Sequence, residues 1–89
     1  MKNKKIKFNA QVWKEGDMYI AYAPQLDVSS CGKTIGKAKK NIKEAVGLFL
    51  SEAQKMGTLD QILNEAGFSF KNEWQAPEML VFEKMSLAV

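Results

Sequence analysis

The residues predict an α+β domain: a three-stranded antiparallel meander, one long and one short helix on one face of the sheet, and a closing strand, in the order β-β-β-α-α-β. Three observations carry this. Apolar residues alternate with polar ones from Ile6 onward, they change to a spacing of three and four from Ile35, and a helix-capping pattern recurs at Thr58.

In the first strand Ile6, Phe8, Ala10 and Val12 alternate with Lys5, Lys7, Asn9, Gln11 and Trp13, a period of two that reads as a half-buried antiparallel strand. The turn KEGD (14–17) follows, with Gly16 free to take positive φ. MYIAYA (18–23) completes a hairpin, and Pro24 ends it because it has no N–H for a ladder. A loop then leads to a short third strand over 28–31, closed by Gly32.

Thr34 is suited to cap a helix, its hydroxyl accepting from a free N–H of the first turn. Ile35, Ala38, Ile42, Ala45, Val46, Phe49, Ala53 and Met56 then form one stripe, and Gly57 stands where a left-handed glycine ends a helix. Thr58 to Gln61 repeats the capping-box pattern and opens a shorter helix that Gly67 ends. Residues 68–77 read as irregular, pinned by Phe68, Phe70 and Trp74, and residues 79–88 as the closing strand.

The chain is 89 residues long, one domain spanning 1–89, with a core so small that oligomerisation is an expected way of burying more apolar surface. Hydrophobic content of 46% and charged content of 26% are those of a globular chain. All 13 basic residues are lysine. Without arginine the planar fork that reads phosphate or guanine is missing, so a net charge of +3 gives only nonspecific attraction to polyanions. Without histidine the usual general base near neutral pH is missing too. A single cysteine, Cys31, forms no disulfide within the chain, which fits a reducing, cytoplasmic setting. No apolar run is long enough to span a bilayer, and no membrane partner is expected.

Candidate chemistry is sparse. Two-metal nuclease chemistry needs several carboxylates converging on ions roughly 4 Å apart. The middle of the first strand holds Asn9, Ala10 and Gln11 instead, while Asp17 and Asp27 fall in turns and Glu44 on a solvated helix face. No catalytic residue, metal site or cofactor is therefore expected. Cys31 has no histidine to activate it and reads as a buried or half-buried strand residue. Lys37, Lys40, Glu44, Gln54 and Lys55 face away from the apolar stripe, with Lys39 and Lys43 flanking it. Gly36, Lys37 and Gly47 are poor helix choices with no local explanation. Leu48 lies off the stripe among polar residues, and Trp13 and Tyr19 lie on the strand face opposite Val12 and Ile20. Together they mark a surface for partners.

The stretch YIAYAPQLDVSSCGKTIGKAKKNIKEAVGLFL with the following SEAQKMGTLDQILNEAGF resembles HicB-type antitoxins of type II toxin–antitoxin pairs. Tyr22, Pro24, Leu26, Gly32, Thr34, Ala38, Asn41, Ile42, Lys43, Glu44, Ala45 and Leu50 carry the resemblance, which extends over residues 10–68. It implies a partial ribonuclease-H-like fold without nuclease activity, which binds a small mRNA-cleaving HicA-type toxin and masks its active site. It also implies a homodimer or higher oligomer. Two departures stand out: Gly36 and Lys37 occupy positions usually acidic in the family, and residues 68–89 are too few for the helix-turn-helix many members carry. No separate DNA-binding domain and no specific nucleic acid are expected.

The leading expectation is a non-enzymatic antitoxin that meets a basic toxin through Trp13, Glu15, Asp17 and Tyr19 at the hairpin, with Leu48 at an oligomer interface and the third or C-terminal strand as its seam. The alternative is a solitary nucleic-acid-binding module using Lys2, Lys4, Lys5, Lys7 and the helix lysines.

Overall fold

The computed structural model describes residues 5–89; Lys2 and Lys4 lie outside them. The chain folds as an α+β domain whose two helices pack on a three-stranded meander, with short closing strands after the helices. Among the described residues eight elements run in order: β1 (Ile6–Lys7), β2 (Gln11–Glu15), β3 (Met18–Ala23), β4 (Val28–Gly32), α1 (Ile35–Met56), α2 (Leu59–Glu65), β5 (Ser69–Lys71) and β6 (Glu73–Gln75).

The meander has the antiparallel order β2-β3-β4, with Val12 opposite Ala21 and Ala21 opposite Ser30. Because paired residues share a face, Val12, Tyr19, Ala21, Ala23 and Val28 all point toward α1, where Ala21 and Ala23 are buried and the other three pack against the core. The small residues of β3 let the helix approach closely. At Gly32 the approach is closer still: a Cβ there would stand 2.6 Å from the Ala38 nitrogen and 2.8 Å from the Lys37 carbonyl carbon.

Helix α1 has 22 residues, about 33 Å at 1.5 Å each. The Thr34 hydroxyl accepts from the Lys37 N–H at 3.0 Å, as its capping role requires. Ala38, Ile42, Val46, Leu50 and Ala53 form the buried stripe, joined by Leu59 and Leu63 of α2 and by Phe68 and Trp74. Ile35, Phe49 and Met56, expected in that stripe, are exposed instead, because the face that meets the small meander is narrower than the apolar pattern. Truncating Ile42, only 2% exposed, to alanine would cost about 2–5 kcal/mol.

Both helices end in the same way. The Gly57 and Thr58 N–H groups donate back to Gln54 and Ala53, and the Gly67 and Phe68 N–H groups to Asn64 and Leu63. Each glycine has positive φ, 76° and 88°, which an L side chain rarely adopts. The start of α2 differs from the capping box expected there. Thr58 makes no side-chain cap; its hydroxyl donates to the Ala53 carbonyl at 3.4 Å, and Gln61 donates to Glu65. Thr58 is already committed to ending α1, so it is not free to open α2 as well.

The strand boundaries hold two further corrections. The alternation from Ile6 to Trp13 is not one strand, because β1 pairs in parallel with β6 while β2 joins the meander. Asn9, between them, donates its side-chain N–H to the Pro77 carbonyl at 3.2 Å. The closing strands are β5 and β6, a hairpin turned at Asn72 (φ 63°) within the segment read as irregular. Among the described residues, 79–88 form no strand, and no backbone hydrogen bond joins them to another segment.

Candidate partner-binding surface

A three-stranded sheet covered by helices on one side leaves its other side open. The alternation that sends Val12 and Ala21 inward sends Gln11, Trp13, Glu15, Ile20, Tyr22 and Cys31 outward, and none of these packs against the buried core. Trp13 is 40% exposed there. Its indole N–H donates to the Glu15 carboxylate at 2.7 Å, and its ring meets Tyr22 edge to face, with centroids 6.4 Å apart.

Tyr22 continues the arrangement on the far side. Its hydroxyl donates to Asp27 Oδ1 at 2.8 Å, and Asp27 holds that carboxylate in place from a left-handed turn position, φ 54°. The hydrogen bond to Asp27, then partial burial, then the nearby negative charge raise the phenol pKa, so Tyr22 remains a neutral donor. Two aromatic rings in contact are thus flanked by two carboxylates, each with acceptor capacity beyond the one bond it makes. Such a patch offers a ring face and fixed negative charge to a lysine or arginine side chain.

The residues singled out from sequence do not all meet here. Trp13 and Glu15 do, and Asp17 is exposed in the adjoining turn. Tyr19 does not: the pair Trp13–Ile20 puts Tyr19 on the opposite face, where it packs against the core under Lys14, whose ammonium lies 5.9 Å from the ring centroid. The physical reason is the two-residue turn, which fixes the register across the hairpin and makes Tyr22 the partner of Trp13's face. Counting parity through the turn, rather than within each strand, identifies Tyr22. Cys31, expected to be buried or half-buried, is exposed, since it pairs with Ile20 on the open face. Its carbonyl accepts from the Asn41 side chain at 2.8 Å, which ties α1 to the outer edge of β4.

Leu48 is 72% exposed, on the helix that covers the opposite side of the sheet, so it forms no part of this surface. Lys37, Lys39, Lys40 and Lys43 are exposed on the same helix, whose first turn holds no acidic residue, and among the described residues no ion pair involves these four. Lys7 instead pairs with Glu73 at 3.0 Å across β1 and β6. Among the described residues no group of three or more His, Cys, Asp or Glu could hold a metal ion, and no helix is long and apolar enough to cross a membrane.

No protein-family profile, curated protein or solved structure matches the chain.

Proposed function

We propose that this domain is a non-catalytic binding protein of the HicB antitoxin kind, acting in the cytoplasm by covering the active site of a small, basic, RNA-cleaving toxin. The observation that carries the reading is the open sheet face, where Trp13 and Tyr22 stand in contact between the Glu15 and Asp27 carboxylates. A protein that grips RNA is basic around its active site. A blocker therefore needs fixed negative charge and rigid apolar area, and this face supplies both without ordering new side chains on binding. The lysine-bearing side of α1 points elsewhere and would repel such a partner.

The test is co-purification with the product of a short basic gene, where one is encoded beside this chain's, followed by an RNA-cleavage assay. Trp13→Ala, Tyr22→Ala and Glu15→Lys each weaken inhibition at least tenfold, whereas Lys40→Glu changes it little. The folded state survives these changes, because all four side chains lie outside the core. The opposite pattern, with Lys40→Glu abolishing binding and Trp13→Ala silent, would refute the reading. The free lysine row on α1 favours one other function, weak polyanion binding.

A further inference from the structure

Trp13 has a second neighbourhood besides the ring of Tyr22. β2 is an edge of the meander, paired only with β3. Along its free side Ala10, Gln11, Val12 and Trp13 line an open groove of about 470 Å³, whose other wall is Met79 and Phe82 of the chain's own C-terminal segment. Met79 is 43% exposed, against 83% for Leu80, which does not line the groove, and Phe82 stands at the rim.

This segment is anchored at its root and loose beyond it. The Ala76 N–H donates to the Lys7 carbonyl at 2.9 Å, and the Asn9 side chain donates to the Pro77 carbonyl at 3.2 Å, which brings the chain to the start of β2. From residue 79 onward, among the described residues, no backbone hydrogen bond joins it to another segment. Its hold on β2 is side-chain contact alone, and such contacts open at low cost.

We propose that residues 79–82 form a strap over β2 and Trp13, an autoinhibitory contact that a partner displaces in order to use the open sheet face. The inference rests on the binding role proposed for that face. Trp13 is the shared residue, since it stands both in the groove and against Tyr22, and one indole cannot be covered by the strap and by a partner at once. Charge decides the competition. The strap is flanked by Glu78 and Glu83, which form no ion pair among the described residues, and the face beside it already holds Glu15 and Asp27. Apolar contact is therefore all that the strap gains. A basic partner gains apolar contact and charge pairing together, whereas a neutral apolar surface gains no more than the strap and is kept out. The strap thus selects for basic partners.

The test uses the full chain and a fluorescein-labelled peptide of alternating lysine and leucine, read by anisotropy. In a chain carrying Gln11→Cys, Phe82→Cys and Cys31→Ser, oxidation is expected to form bridges within single chains. The bridged form should bind the peptide about fivefold more weakly than its reduced form, because apparent affinity scales with the open fraction. Without the cysteine changes, Met79→Ser with Phe82→Ser should tighten binding about three- to tenfold for the same reason. Tyr22→Ala, outside the groove, should abolish binding, which reports that the peptide sits on the open face. Bridges found only between chains, or none, would overturn the strap. Bridges within the chain with equal affinities throughout would overturn the inhibition while leaving the partner surface standing. A peptide that no form binds, or that binds regardless of Tyr22, would remove the partner surface and the inhibition with it.

Discussion

At Gly32 a single added methyl group is enough to push helix from sheet. Its Cβ would meet backbone atoms of Lys37 and Ala38 at 2.6–2.8 Å, and backbone cannot rotate aside as a side-chain end can. Gly32→Ala is therefore expected to lower unfolding stability by about 1–3 kcal/mol, read as a fall in the urea midpoint at unchanged slope. A midpoint equal to the parent's would show that α1 has room to shift. Gly47 is the counter-case at the same scale. Nothing lies within 4 Å of a Cβ built there, and it sits mid-helix, where glycine is costly in conformational entropy. Gly47→Ala is expected to raise stability by about 0.5–1 kcal/mol, and a loss in the same titration would contradict the open space around it.

At the scale of elements, β1 and β6 form a two-residue parallel ladder, too short to depend on backbone bonds alone. The Lys7–Glu73 ion pair spans it, and the hydrogen bond from Lys7 lowers the Glu73 pKa despite partial burial, which acts the other way. A carboxylate whose pKa is depressed on folding adds stability that is complete above its unfolded value and is lost as pH falls through the folded one. Glu73→Gln should thus lower the melting temperature slightly at neutral pH, and the difference should shrink as the pH falls through the lowered folded pKa. A loss that does not shrink as the pH is lowered would mean that Glu73 acts through packing, not charge. Neither this pairing nor the β5–β6 hairpin was legible in the sequence, because strands of two or three residues are too short to show a period. β3 to α2 were legible, from the helical stripe of α1 and from the punctuation at Gly16, Pro24, Gly32, Gly57 and Gly67. The 79–88 segment misled for a related reason: strand propensity reports fit to a pleated neighbour, and no strand among the described residues pairs with it. Of the candidate surface, Trp13 and Glu15 were found directly, whereas Tyr22 required register across the turn.

Across the whole molecule charge and apolar surface are segregated, with acidic and aromatic groups on the open sheet face and free lysines on the outer side of α1. That segregation makes nucleic-acid binding separable from protein binding. Lys37, Lys39, Lys40 and Lys43 offer point charges, and the chain has no arginine to read a base edge in a bidentate way. Four such contacts to duplex DNA give a log–log salt slope of about −3.6, so affinity should fall roughly a hundredfold between about 50 and 200 mM salt. Binding should be equal for unrelated sequences, since phosphate contacts carry no sequence information. Lys40→Glu with Lys43→Glu is expected to remove most of it, while Trp13→Ala, on the other side of the sheet, leaves it intact. Fluorescence anisotropy across a salt series reads slope and sequence preference together. Nanomolar, sequence-selective binding at about 150 mM salt would exceed what four lysine–phosphate contacts supply, and would assign the α1 face a recognition role of its own.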